Sequence, residues 1–400
     1  MKIEKITFKK HFFFGDGEIV FKDSSSKPLD TVVIAGINGC GKTTLLITIL
    51  SILTNPKNDY LHSFISLNLQ SLVDQKMIKP FPLLSDIFSE TRFNASNKQC
   101  NERFKGKLEK IPEEERPKVI YLPAEISFES LKTRETAFGY KYSFKNVIDK
   151  KHVNDIPTFI SSMIKDAVFK NEELPAKVSI QKVCEEVNQI FTELEIEVRL
   201  TGLTESGEKL PVFCNSSGKE FDINGLSSGE KQLFVRALSV KMVKANNSII
   251  LIDEPEISLH PKWQQRIVKV YEKIGKNNQV IIATHSPHIL SSVGKESAFL
   301  LSKENNQVKI LNYELLDSVY GKPVNIVLTD FMGLKTDRDP AVEKLFDEVR
   351  EIARSNDVSS SMFQGKLAEL IGIVGEIDED IILLKMEVAR RRAKIESKNA

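Results

Sequence analysis

Several features that would commit a chain to a class are missing here. The four cysteines, Cys40, Cys100, Cys184 and Cys214, lie far apart and form no CxxC pair. That spacing argues against a zinc hook, a zinc ribbon or a dithiol redox pair, and reduced structural thiols are expected instead. No apolar run is long enough for a signal peptide or a membrane span, so a cytoplasmic, membrane-free location is expected. Lys plus Arg (56) and Asp plus Glu (55) almost cancel, leaving a formal charge of +1. No global field draws such a chain onto nucleic acid, which counts against a DNA-coating role and restricts any DNA contact to a local patch. Sequence repeats and low-complexity tracts are absent too.

What is present is a normal apolar fraction, 41% of 400 residues, enough for one large α/β domain with inserts or for two ordinary domains. Two strand-like runs between Lys2 and Val20 flank Gly15-Asp16-Gly17. Thr31 to Ala35 then reads as a buried strand. A helix is expected from near Lys42, with Leu45, Leu46, Ile49, Leu50 and Leu53 at helical spacing. Residues 55–118 are polar and mixed, and read as an insertion of uncertain structure. Val119 to Leu122 is a second buried strand, closed by Pro123. Amphipathic helices are expected over Ile156 to Phe169 and Val178 to Leu194, with strands at Ile196 to Leu200 and Leu210 to Phe213. Further on, Glu230 to Val243 is helical, and Ser248 to Ile252 and Gln279 to Ala283 are buried strands of a parallel sheet joined by a crossover over Pro261 to Ile274. Val308 to Leu311 is one last strand. From Leu367 the apolar positions Leu367, Leu370, Val374, Ile377, Ile381, Leu384 and Val388 keep a three-four alternation, the seam of a coiled coil or a helical hairpin. Arg390 to Lys394 then place positive charge at a helix C-terminus.

Four stretches carry chemistry. Gly36-Ile37-Asn38-Gly39-Cys40-Gly41-Lys42-Thr43 completes the GxxxxGK[ST] pattern between a strand and a helix. Glycines there let backbone N–H groups of Asn38, Gly39 and Gly41 to Thr44 surround phosphate oxygens. Lys42 reaches the β and γ phosphates, and Thr43 offers a hydroxyl to Mg²⁺. Asp253 and Glu254 close an aliphatic strand, where one carboxylate can hold the Mg²⁺ shell and the next can polarise a water. His285, in Thr284-His285-Ser286, stands at a further strand end, suited to a γ-phosphate contact. His260 either faces a partner subunit or caps the turn before Pro261. Cys40, beside the helix start, reads as a small loop residue, with a somewhat reactive thiol near the helix N-terminus as the lesser alternative. Leu226-Ser227-Ser228-Gly229-Glu230-Lys231 opens a helix as an N-cap with an acidic first turn, and such a cap is also an anion site.

In this order, these residues resemble the ATP-binding-cassette ATPases of the SMC, RecF and overcoming-lysogenisation branch. The resemblance covers roughly residues 1–50, 119–130 and 220–300. It implies an α/β fold: an ABC-ATPase head with a parallel P-loop core sheet, an inserted helical lobe and a C-terminal helical, coiled-coil-like extension. The implied division is a core of 1–54, 119–130 and 220–312, the insertion 55–118, a helical lobe with short strands at 131–219, and a helical interaction region at 313–400. It also implies ATP and Mg²⁺ as ligands. Asp253 would be the Mg²⁺-shell aspartate, Glu254 the catalytic base and His285 the switch histidine. Ser227, Ser228, Gly229 and Glu230 would meet the γ-phosphate held by an opposite subunit, so a homodimer or higher even-numbered assembly is implied. Glu256 to Leu259 would link the two sites. The branch offers a glutamine after the strand ending at Leu122, whereas this chain continues Pro123-Ala124-Glu125. Glu125 either replaces that glutamine at the metal or is an unrelated loop carboxylate.

The tail, with Tyr320 to Leu328, Phe331-Met332-Gly333 and Arg338-Asp339-Pro340, is similar to the helical extension of Septu-type and retron-associated anti-phage ATPases. That resemblance implies a separate HNH-type nuclease as partner and a nucleotide-gated scaffold as function. A DNA-repair or DNA-organising head is the alternative. A self-contained nuclease would need an acidic cluster, for which Asp330, Asp337 and Asp339 are the nearby residues.

Overall fold

The computed structural model describes residues 1–54, 63–77, 92–94, 106–127, 130–134, 138–170, 173–205, 207–304, 307–312, 318–334, 336, 338–355 and 360–399. Cys100 and Asp337 lie outside them. The chain divides into two compact units, Met1–Val327 and Leu328–Ala400. Among the described residues, no helix is long and apolar enough to cross a membrane.

The strands of the first unit are, in chain order, β1 (Lys2–His11), β2 (Gly15–Val20), β3 (Thr31–Gly36), β4 (Phe64–Asn68), β5 (Arg92–Asn94), β6 (Val119–Leu122), β7 (Lys145–Val147), β8 (Arg199–Leu203), β9 (Pro211–Cys214), β10 (Glu220–Asp222), β11 (Ile249–Asp253), β12 (Gln279–Thr284), β13 (Ala298–Glu304) and β14 (Gln307–Leu311). Its longer helices are α1 (Lys42–Thr54), α2 (Ile156–Lys170), α3 (Ala176–Gln189) and α4 (Ser228–Met242).

Seven strands form the main sheet in the order β14-β13-β3-β12-β11-β6-β7. All neighbours are parallel except the β13–β14 hairpin at one edge. Every residue of β6 and β11 and every residue of β3 and β12 is buried. Strands covered on both faces need continuous aliphatic runs, and the sequence supplies them. On one face α1 packs Leu45, Leu46, Ile49 and Leu53 into a core with Val32, Ile34, Leu251 and Ile281.

A second, antiparallel sheet runs β2-β1-β4-β5. β4 comes from the stretch expected as an insertion, and pairs with β1 over Lys2 to Thr7. The glycines at 15 and 17, expected to separate two strands, belong to β2, and the turn is made one step earlier by Phe12, Phe13 and Phe14. His11 is the reason. Its Nδ1 accepts from the backbone N–H groups of Phe13 and Phe14, both at 3.1 Å, and closes the chain on itself. Gln279 joins this sheet to the main one, accepting from Ile3 N at 2.7 Å and donating to Ile3 O and Leu29 O.

Between β7 and α4 lie α2, α3 and the small sheet β10-β9-β8. The strands start later than the spacing suggested, because Leu194 to Val198 are spent on a short turn and on leaving the helix. The expected crossover helix from Pro261 to Ile274 is two short helices, Pro261–Gln264 and Ile267–Glu272.

The second unit contains α5 (Pro340–Arg354), α6 (Ser361–Val374) and α7 (Glu379–Asn399). Leu370, Ile381, Leu384 and Val388 of the three-four series are buried with Phe346, Val349, Ala353 and Phe363. The seam is the hairpin form, not one continuous helix. Gly375, at φ +90°, ends α6 in a conformation that side chains with a Cβ avoid, and Ile377 in the turn is 89% exposed rather than part of the seam. Asp339 caps α5, accepting from Ala341 N, and Asp330 bonds Thr329. Among the described residues, no three His, Cys, Asp or Glu are grouped to hold a metal.

Candidate nucleotide site

Register brings four strand ends to one level. Asp253 pairs with Ala283, Thr284 with Ala35, and Ile252 with Leu122. The loop after β3, the carboxylates after β11, the histidine after β12 and the Pro123 turn after β6 therefore leave the sheet side by side. In parallel α/β sheets, that carboxyl edge is where ligands bind.

The glycine loop enters α1 through Gly41, whose φ is +94°. A Cβ there would overlap the ring of Phe13, so the residue is required both by backbone conformation and by close approach. Asn38 and Gly39 are exposed, as is Thr43, with Thr44 half-buried. Cys40 is buried, and burial pushes its thiol up from the ordinary value, in keeping with a small loop residue.

Lys42 is buried, and its ammonium donates to Gly36 O at 2.9 Å and Ile37 O at 3.1 Å. It also lies 3.2 Å from Nδ1 of His285. An ammonium has donors alone, so Nδ1 must accept and the imidazole proton sits on Nε2. That Nε2 faces Glu254 Oε1 at 3.2 Å. Burial, followed by the charge of Lys42, holds His285 below the usual imidazole range, and desolvation likewise lowers Lys42. P-loop lysine, histidine and glutamate thus form one continuous set.

Asp253 is 3% exposed and bonded at both oxygens. Thr43 Oγ1 donates to Oδ1 at 3.1 Å, and the Tyr121 hydroxyl donates to Oδ2 at 3.3 Å. Burial raises Asp253, and burial followed by the Asp253 charge raises Tyr121. Glu254 stands just past the strand with φ +44°, its N–H bonded to Ala283 O at 2.9 Å. A left-handed residue with a Cβ costs roughly 1 kcal/mol, and it turns the carboxylate off the strand axis toward His285. Glu256 reaches across to the next strand: its Oε1 accepts from Thr284 Oγ1 at 2.8 Å and from His285 N at 2.6 Å.

Ser227 caps α4 and forms a reciprocal capping box with Glu230, whose Oε2 accepts from Ser227 N at 2.9 Å. Ser227 and Ser228 are exposed, Gly229 and Glu230 half-buried, and none of them bonds Lys42, Asp253 or Glu254. Gly229 is there for proximity: a Cβ would lie 2.7 Å from Ser258 O and 3.5 Å from the Trp263 ring. His260 caps the turn before Pro261, with Nδ1 accepting from Lys262 N. Glu125 is exposed in the loop after β6, with no ion-pair partner among the described residues.

Two members of this network escaped sequence reasoning. Arg236 of α4 is buried, and its guanidinium donates to Pro123 O, Ala124 O and Asp253 O at 2.8–2.9 Å. A single arginine inside Leu233 to Leu238 was a usable signal, since a buried cation needs several acceptors. Tyr121 offered a similar one, a hydroxyl inside an aliphatic strand.

The residues fit a hard divalent cation: a threonine hydroxyl and an aspartate oxygen, 3.1 Å apart at a helix start, are the oxygen ligands Mg²⁺ takes from protein while keeping its waters. When bound, such a cation would neutralise charge on phosphate oxygens.

Residues 192–291 match the family model described as "AAA domain, putative AbiEii toxin, Type IV TA system". The chain is 31% identical over 170 residues to the "Retron Vc95 probable ATPase" of Vibrio cholerae, spanning 39% of this chain and 32% of that protein. It is 29% identical over 160 residues to the "Septu protein PtuA" of Bacillus thuringiensis, 37% of this chain and 40% of that one. It thus spans about a third of the length of the first of these curated relatives. Among solved structures, an SMC head bound to the C-terminal winged-helix domain of ScpA aligns at 13% identity with a TM-score of 0.45, over 78% of this chain and 97% of the other.

Proposed function

We propose that the chain carries an SMC/RecF-like ABC-type ATPase core, similar to that of the retron and Septu ATPases, and acts as a nucleotide-gated scaffold that binds and hydrolyses ATP. The observation that carries this reading is the contiguous set Lys42–His285–Glu254 beside Thr43–Asp253, drawn from three adjacent parallel strands. Asn38, Gly39 and Gly41 to Thr44 hold the phosphates. Lys42 exchanges two backbone carbonyls and a neutral imidazole for phosphate oxygens, a trade favoured by charge. Thr43 and Asp253 hold Mg²⁺. Glu254 orients and polarises the attacking water, and His285 donates from Nε2 toward developing negative charge.

The signature tract Ser227 to Glu230 is complete in itself yet makes no bond to this chain's own P-loop lysine. This supports a role in trans, on the γ-phosphate held by a second copy. ATP biases pairing through its higher affinity for the closed pair. The helical unit Leu328–Ala400 then conveys the state to a separate effector, a nuclease in an anti-phage system, the partner implied by the resemblance of the tail to Septu-type and retron-associated ATPases. Glu254→Gln should trap the ATP-bound pair. Light scattering of that variant is expected to show a doubled mass with MgATP, and an unchanged mass would sink the reading.

A further inference from the structure

We propose that Glu256 is a positioning residue for His285, setting the histidine between Lys42 and Glu254 from the loop that backs onto the signature glycine. The inference rests on the ATPase reading and deepens it. Glu256 lies three residues past Asp253, yet both of its side-chain hydrogen bonds reach the end of the next strand. One oxygen, Oε1, accepts from the Thr284 hydroxyl and from the His285 backbone N–H. Those two donors lie at the end of a strand that is wholly buried, where a lost partner leaves an orphan that water does not readily replace. The other oxygen, Oε2, is buried with no partner. Among the described residues no ion pair is formed by Glu256, and its direct contacts are the two hydrogen bonds it accepts.

The backbone of His285 is therefore pinned while its ring is held by Lys42 and Glu254. Two residues beyond Glu256, Ser258 sits at φ +64° and presents its carbonyl to Gly229, so close that a Cβ on the glycine would collide with it. A displacement of the signature helix start pushes on this loop, and through Glu256 on His285 of the same chain. Contact with a neighbour's nucleotide would then be felt at this chain's own histidine.

The series Glu256→Ala, Glu256→Gln and Glu256→Asp separates the possibilities. Glutamine keeps an oxygen able to accept from both donors. Aspartate keeps the charge but falls one methylene short. In Ala and Asp, kcat should fall about 10²-fold, the cost of roughly an ångström of misplacement, while the Kd for ATP measured calorimetrically moves less than about threefold. Gln should retain most of the turnover. A second readout needs no nucleotide: the His285 ring resonance, assigned among the six histidines with His285→Gln, should titrate closer to the ordinary 6.5 in Ala and Asp, and stay depressed in Gln. Equal losses in Gln and Ala, or an unmoved His285 titration in Ala, would overturn the inference. If Ala fails to fold, the contrast between Gln and Asp decides. Absence of ATP binding by the wild-type chain would instead overturn the ATPase reading, leaving the histidine titration to test the positioning by itself.

Discussion

The carboxyl edge of the seven-stranded sheet and the helical unit after Leu328 both gather charged side chains, with opposite consequences. In the helical unit, Arg338 donates to both oxygens of Asp378 at 2.8 and 2.9 Å and to Asp380 at 2.9 Å. Its guanidinium lies 4.7 Å from the Phe346 ring centre, and Arg350 lies 5.2 Å from the same ring. Arg350 in turn contacts Glu343, Asp347 and Asp380. Each cation meets two or more carboxylates, charged partners that a neutral group does not displace. At the sheet edge the partners are weaker. Lys42 rests on two carbonyls and an imidazole, and Asp253 on two hydroxyls. A charged ligand outcompetes neutral partners, so the sheet edge is arranged for exchange and the helical unit for permanence.

The largest effect that tests the contrast is expected at Phe346, fully buried and with both arginines over its ring. Phe346→Ala should cost the helical unit about 3–5 kcal/mol, read as lost hydrogen-exchange protection over 340–388. Loss of less than about 1 kcal/mol would show that the ion pairs hold the unit without the ring. A smaller effect is expected at the exchangeable end. Tyr121→Phe removes one neutral donor from Asp253, for about 1 kcal/mol in chemical denaturation and a weaker Mg²⁺ dependence of ATP binding. A cost near that of Phe346→Ala would place Asp253 among the locked carboxylates and break the comparison.

The smallest effect is a pH dependence at His11. Burial lowers its pKa from 6.5, and its Nδ1 already accepts two backbone N–H groups, so the folded chain resists a proton that the unfolded chain takes up. Stability is therefore full above about pH 6.5 and is lost as pH falls from there toward the depressed folded value. His285 has the same sign. His11→Gln, whose amide oxygen can accept the same two bonds, should flatten the fall in melting temperature between pH 7.5 and 5.5 without removing it. An unaltered slope would show that His11 takes up its proton normally.

Much of the sheet edge was legible because its ingredients are local. A strand, a glycine loop and a helix are consecutive, and four aliphatic residues before Asp253 announce a strand buried on both faces. Boundaries were legible less well where a side chain overrode composition. Gly15 and Gly17 look like a turn, but His11 closes the chain earlier, and the glycines enter β2. β13 was missed although Gly294 and the serines at 291, 292 and 297 mark a turn before its run. Six of the seven positions in the three-four series from Leu367 join one apolar cluster and Ile377 does not, because Gly375 ends a helix there and the chain folds back on itself. Glu125 was legible as a departure from the family pattern, and the structure adds its exposure.

By itself, the sequence determined which groups would be present at the site: the phosphate loop, two successive carboxylates, a histidine after a buried strand and a self-capping Ser-Ser-Gly-Glu. Those depend on neighbours within a few residues, where spacing dictates geometry. The tertiary structure alone decided how they address one another. Lys42 meets His285, Arg236 of α4 clamps Asp253 and Pro123, and Glu256 crosses to Thr284 and His285. Such contacts depend on the register of parallel strands separated by long stretches of chain. Register is chosen by the packing of whole strands against their helices, and local spacing carries no record of it.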